Sequence, residues 1–360
     1  MSTAPQGILD RRTTYDRYIT SQGIPVVEDF YLRDLKSVEV APWERTGTLG
    51  AIVRLEGAAM LDDSFVLEIP PGVRTIPQRH LYEELVYIVS GTGTTTVWNG
   101  QGTKVTFGWQ AGSLFAIPLN AWYEHVNTSE TESVRAYSVT DAPLMMNLFH
   151  DQDFIFNNEY DFTSRFSTGT GDFSGAGTAY EGRIWNTTLV PDVRTMELQE
   201  WAARGAGGRN VLFEISDGVM CGHISQFPVG TYKKAHRHTA GAHVIILSGE
   251  GFSLLWPDGK EPRRVDWGPG SVVVPPDQWF HQHFNTGSTP ARYLALRFGS
   301  KKFPLFPPSQ LDKPTTEGGT QIEYIDEDPA VRRMFEDDLA RKGVTSKMTE
   351  VSGIPAPARS

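Results

Sequence analysis

Cysteine is almost missing from this chain: Cys221 is the one thiol among 360 residues. A lone cysteine excludes an internal disulfide and any zinc site built on cysteine pairs. Excess positive charge is missing too. Forty-three acidic residues against 33 basic ones give a formal charge of −10 at pH 7, which leaves no electrostatic footprint for a phosphate backbone, so no nucleic-acid partner is expected. No apolar run reaches the roughly 20 residues of a membrane span. The opening stretch MSTAPQGILDRRTTYDRY lacks the apolar core of a signal peptide. The expectation is a cytoplasmic protein with no membrane partner. A P-loop, a dinucleotide glycine fingerprint and a Ser–His–Asp arrangement are also lacking. Histidine is scarce, with nine in all, so its placement is informative.

What is present is a repeat. An offset of 158 positions carries His80 onto His238, Gly91 onto Gly249, Gly93 onto Gly251 and Trp98 onto Trp256. It also carries Gly112 onto Gly270, Pro118 onto Pro276, His125 onto His283, and Asn127-Thr128 onto Asn285-Thr286, with no gap. One offset kept through so many distinctive residues marks a duplicated domain. Each copy reads as all-β. ELVYIVSGTGTTTVWNG and AHVIILSGEGFSLLWPDG each place two β-rich runs around S-G-x-G, a hairpin signal. Short strands at close spacing suit a sandwich or barrel.

The expected organisation is an N-terminal extension over 1–50, a first domain over 51–150, a connection over 151–208, a second domain over 209–300, and an extension over 301–360. STGTGDFSGAGTAYEG reads as flexible, and SGIPAPARS as a loose tail. DPAVRRMFEDDLARKG predicts a helix over 328–342, with Asp328 as N-cap, Pro329 opening it and Gly343 past its end. Its stripe of Val331, Phe335 and Leu339 is expected to pack on a β domain.

The motifs resemble those of the cupin superfamily, and the duplication resembles a bicupin. The resemblance implies two tandem jelly-roll barrels, each with an H-x-H pair, a glutamate and a later histidine as metal ligands. The first copy shows Gln78, His80, Glu84 and Tyr123 at these places. The second shows His236, His238, Ala242 and His281. A narrower resemblance is to gentisate and salicylate 1,2-dioxygenases, through HRHTAGA and WFHQHFN. In that group alanine fills the glutamate slot, and the second histidine of the later motif faces substrate. Here Phe280 directly precedes His281, where the group has tryptophan, and the ligands sit in the second copy instead of the first.

His236 and His238, at i and i+2, would share one face of a strand. With His281 beside them they give three imidazoles, a set that suits Fe, Zn, Cu or Ni. Alanine at 242 leaves the metal its full charge and open positions, which favours an anionic chelating substrate and O₂. The expected activity is therefore that of an Fe(II) dioxygenase cleaving a C–C bond of a small hydroxylated aromatic acid or enolisable carbonyl compound. Mn, Ni or Zn would instead support an isomerase, lyase or hydrolase, and a non-catalytic ligand-binding protein is the third reading. His283 is the candidate catalytic acid or base. Trp279 and Arg297 are candidate substrate contacts, and His243 is a possible fourth ligand. Lys233 and Lys234 are expected at a solvated strand start. The first copy, with His80, Glu84 and His125 left, is expected to be mainly structural. The resemblance further implies a homo-oligomer.

Overall fold

The computed structural model describes residues 11–58, 61–167, 173–205, 207–239, 241–304 and 313–354. The Gly/Ser/Thr stretch at 168–172 and the tail at 355–360 lie outside the described residues.

Two copies of one β architecture follow each other along the chain. In the first, an eight-stranded sheet includes Thr48–Leu55, Asp63–Ile69, Val134–Thr140, Glu84–Ser90 and Leu114–Ile117 in that spatial order. It faces a three-stranded sheet of Trp122–Asn127, Thr92–Trp98 and Lys104–Gln110. In the second, a nine-stranded sheet includes Arg209–Ile215, Met220–Phe227, Ala291–Phe298, His243–Ser248 and Val272–Val273. Its partner sheet is Arg263–Trp267, Gly251–Trp256 and Phe280–Asn285. Facing antiparallel sheets of this order make a jelly-roll barrel, so the fold is all-β with two tandem barrels.

The glycines of S-G-x-G explain the hairpins. Gly91 and Gly249 have φ of 89° and 85°, a region open to glycine at little cost. A Cβ on Gly251 would lie 1.8 Å from the carbonyl oxygen of Phe284, and one on Gly93 would lie 2.2 Å from the ring of Trp109. The turn and the close strand approach both require glycine.

The segments flanking the barrels carry more order than the sequence suggests, and they repeat as well. Val26–Asp29 pairs in parallel with Thr48–Leu55, and Ile184–Thr187 pairs in parallel with Arg209–Ile215. The next short strands then cross over. Tyr31–Leu32 pairs with Val272–Val273 of the second barrel, whereas Leu189–Val190 pairs with Leu114 and Phe115 of the first. The amide of Leu35 donates to the carbonyl of Gly270, and that of Val193 donates to the carbonyl of Gly112, both at 2.9 Å. Positions 31 and 189, like 35 and 193, keep the 158 offset. Each copy thus lends a strand to the other copy's sheet.

Strand alternation sorts the side chains. Val244 and Ile246 join the apolar filling of the second barrel, with Trp267, Tyr293 and Ala295. Ile245, Leu294 and Leu296 face the other way. They share one cluster with Leu55, Val66, Leu85 and Tyr137 of the first copy, so the large sheets pack back to back. The helix Pro329–Lys342 is capped by Asp328, whose carboxylate accepts from the Ala330 amide at 2.8 Å, and it ends at Gly343 with φ of 68°. Val331, Phe335 and Leu339 pack on Tyr232, Phe252 and Phe284, outside the second barrel. Among the described residues no helix is long and apolar enough to cross a membrane.

Candidate metal centre

His281 lies on the strand Phe280–Asn285, where alternation turns His281 and His283 inward. His236 is fixed opposite by backbone pairing: its amide donates to the carbonyl of His281 at 3.1 Å, and the amide of His281 donates back at 2.9 Å. The expectation that His236 and His238 ride on one regular strand needs correction. His236 makes isolated bridges to His281 and Gln321, and the next named strand starts at His243. The tight segment still brings both rings to one place. Ring centroids of His236 and His281 are 4.2 Å apart, and those of His238 and His281 are 4.8 Å apart. One candidate ligand nitrogen from each of the three lies within 4.8 Å of the others.

The hydrogen bonds prepare these rings for a metal. Nδ1 of His236 meets the carbonyl of Lys234 at 3.2 Å. Nδ1 of His238 meets that of Thr239, and Nδ1 of His281 that of Trp279, both at 3.3 Å. A carbonyl only accepts, so each Nδ1 carries the proton and each Nε2 keeps its lone pair. Burial is the main force holding all three imidazoles neutral, with further repulsion from Arg204. It lowers His281 from 6.5 to about 4, and His236 and His238 well below their ordinary value. Three neutral, oriented, converging imidazoles fit a divalent transition metal.

Ala242 is buried in the apolar filling and contributes no anionic donor. His243 is not a fourth ligand. It points to the opposite face, where its Nδ1 meets the Tyr137 hydroxyl at 2.7 Å and its Nε2 lies 3.4 Å from Asp62, both in the first copy. Alternation next to the inward Ala242 is the reason. His283 is inward and buried, with Nδ1 2.7 Å from Ser253 Oγ, and Trp267 Nε1 donates to that same oxygen at 2.9 Å. The first copy repeats this brace with His125, Thr95 and Trp109 at 2.7 Å for both contacts, so it belongs to the repeated barrel. The Trp279 ring tilts against Phe30 at 6.2 Å and packs with the cluster that holds Ala242, away from the polar cavity described next.

That cavity borders His236 and His238, and Arg297 lines it. Its Nε has no hydrogen-bond partner. Arg183, Arg204, Lys233 and Lys301 line the same cavity, together with Trp201, His223 and Tyr293. Sequence reasoning missed most of these. Lys233 is not solvated: it is 1% exposed, with its ammonium on the hydroxyls of Ser225 and Tyr293. Its twin, Thr75, is also buried. Lys234 pairs with Glu323 at 2.6 Å. Arg204 comes from the connecting segment and donates to Gln321 Oε1 at 2.9 Å. The segment around Gln321 also clamps the histidine loop, through Arg237 N to Thr320 O at 3.0 Å and Ile322 N to Ala235 O at 2.8 Å. No local pattern announces either contact.

In the first copy the corresponding atoms satisfy one another. His80 Nε2 lies 3.0 Å from Glu84 Oε2, the Tyr123 hydroxyl donates to the same oxygen at 3.0 Å, and Ser138 donates to Oε1 at 2.6 Å. Gln78 turns away to donate to the carbonyls of Arg45 and Ile76. Burial opposes ionisation of Glu84, but His80 and Ser138 outweigh it and hold the carboxyl below its usual range.

The two tandem barrels form a bicupin fold. Residues 65–140 match the cupin domain family. A 78-residue stretch is 35% identical to 5-aminosalicylate 1,2-dioxygenase of a Comamonas species, covering 22% of this chain and 19% of that protein. The match thus spans about a fifth of the relative's length, and within it the resemblance is to the ring-cleaving dioxygenases of the gentisate type. The oxalate decarboxylase of Lactobacillus farciminis, solved as a formate complex, superposes with a TM-score of 0.52 at 13% identity, over 86% of this chain and 93% of that one. Another oxalate decarboxylase gives 0.50 at 14% identity, over 74% and 76%. At such identities the likeness is one of fold. The relatives are enzymes, a 1,2-dioxygenase and oxalate decarboxylases.

Proposed function

We propose that the second barrel is the active domain of a mononuclear Fe(II) dioxygenase that cleaves a C–C bond of a small, chelating, hydroxylated aromatic acid. The observation that carries this reading is the ligand set itself. His236, His238 and His281 offer three bare Nε2 atoms, and Ala242 stands where a carboxylate would otherwise add a fourth, anionic ligand. The stretch similar to 5-aminosalicylate 1,2-dioxygenase supports the choice among cupin chemistries.

The three histidines would hold the ion. When bound, Fe(II) would supply open coordination positions for a chelating substrate and for O₂, and the redox exchange between them. The protein's own part is binding, orientation and exclusion of water. Arg297, with its unpartnered Nε, would hold a carboxylate that lies outside the chelate through paired hydrogen bonds. His283 would handle a proton, since Ser253 fixes its Nδ1 and its ring lies 5.7 Å from that of His281. Its imidazole is held neutral, by burial first and then by the positive charge of its neighbours.

The test is O₂ uptake by anaerobically Fe(II)-loaded protein, screened over hydroxylated aromatic acids and diketones, alongside His281→Ala. Consumption of O₂ that needs both substrate and Fe(II), and that His281→Ala abolishes together with metal binding, is the expected result. Turnover at the same rate without O₂ would move the site to Lewis-acid chemistry with Mn, Ni or Zn. Ligand binding without turnover under either atmosphere would make the chain a binding protein.

A further inference from the structure

The cavity beside the histidines has a charge that the chain as a whole does not. The chain carries −10, yet five cationic side chains line this cavity, and no aspartate or glutamate does so among the described residues. Three of the five decide the matter. Lys233 is buried, and its partners are the neutral hydroxyls of Ser225 and Tyr293. Arg297 has an unpartnered Nε and no carboxylate within ion-pair distance among the described residues. Lys301 likewise has no ion-pair partner there. Arg183 and Arg204 flank the Trp201 ring, with guanidinium carbons 4.8 and 5.3 Å from its centroid, and add two further charges.

Like charges gathered in one cavity repel, and the burial of Lys233 among them with only hydroxyl partners is costly. The three-histidine centre adds to this excess, because all its ligands are neutral and a bound divalent ion keeps its whole charge. A substrate with one carboxylate spends that carboxylate in the chelate and leaves Arg297 and Lys301 unmatched. Arg297 and Lys301 sit at and just beyond the end of the strand Ala291–Phe298, at the rim of the barrel.

We propose that the substrate carries a second carboxylate besides its chelating oxygen pair, bound by Arg297 and Lys301, so that the site is specific for dicarboxylic hydroxy or oxo acids. This rests on the metal-centre reading above. Arg297 supplies the planar fork that pairs with a carboxylate, and Lys301 supplies a point charge. Lys233, Arg204 and Arg183 set a positive field that favours dianions throughout the cavity.

Two matched pairs of acids test it by anaerobic calorimetry on Fe(II)-loaded protein: salicylate with 4-hydroxyisophthalate, and 2-oxobutyrate with 2-oxoglutarate. The members of each pair share a chelating oxygen pair and differ by a second carboxylate. In at least one pair the diacid should bind about tenfold tighter than the monoacid. In Arg297→Gln that preference should shrink to about threefold or less, with iron content retained. Lys301→Met, a change at an exposed position, should shrink it as well and guards against a folding defect in the first variant. Equal affinity within both pairs, no binding of either diacid, or a preference that survives both substitutions would overturn the proposal. Failure of the underlying reading looks different: iron would not load, or the acids would bind equally well with and without it.

Discussion

His236 and His281 exchange both of their backbone hydrogen bonds, at 3.1 and 2.9 Å, while their rings lean together with centroids 4.2 Å apart. Gln78 and Tyr123, at the same places in the first copy, exchange the same pair at 2.8 and 2.9 Å. The scaffold of the centre therefore exists twice, and what distinguishes the copies is side-chain chemistry.

The double substitution Gln78→His and Tyr123→His follows from this. It would place two imidazoles beside His80, whose Nδ1 already meets the Tyr82 carbonyl at 2.8 Å, and beside Glu84. Elemental analysis should show metal rising from about one equivalent per chain towards two. A value unchanged at one would mean that the paired backbone alone does not define a site.

Proton competition gives a second expectation. The unfolded chain protonates His281 near 6.5, the folded chain only near 4, and burial moves His236 and His238 in the same direction. Below about pH 6.5 the unfolded state takes up protons that the folded state refuses, so metal-free protein should lose stability from there down towards pH 4. The ligands themselves stay neutral down to about pH 5, so metal should be retained there and released nearer pH 4. Dialysis at stepped pH with elemental analysis checks this, and release centred at pH 6.5 would contradict it.

His243 and Asp62 lie 3.4 Å apart between the barrels, both fully buried, and their twins are Leu85 and Met220. His243→Leu alone leaves a buried carboxyl group without its partner and should cost about 1–3 kcal/mol. Adding Asp62→Met should recover most of that, because apolar pairs replace buried polar pairs well. Iron content should stay at the wild-type level in both variants. A metal loss in His243→Leu would restore His243 as a ligand candidate.

Lys233→Met removes a buried ammonium that has no carboxylate partner among the described residues and keeps much of its volume. Folding stability should hold or rise, since burial already pushes the ammonium below its usual pKa. Affinity of the cavity for carboxylates should fall, as read by titration with salicylate. Lost stability with unchanged affinity would make Lys233 a structural residue.

The sequence disclosed those features that rest on local pattern or on the repeat. The barrel strands, the glycine hairpins and the helix Pro329–Lys342 each carry their own signals, so fold class was legible. The histidine cluster was legible because duplication aligned His236 with Gln78 and His281 with Tyr123. The exchanged strands Tyr31–Leu32 and Leu189–Val190 were not, since two-residue strands have too short a pattern to see. Arg204 and Gln321 escaped notice because tertiary contacts across more than a hundred residues place them. Lys233 was misread because a lysine is usually solvated, and only the barrel's interior, with Ser225 and Tyr293 in it, makes it a cavity residue.

The most direct measurement is iron content per chain after anaerobic, iron-replete purification, in the wild type and in the double variant His236→Ala, His238→Ala. The account predicts about one iron per wild-type chain and none in the variant, with the β signature of the circular dichroism spectrum unchanged. Iron retained by the folded variant, or absent from the wild type, would contradict it.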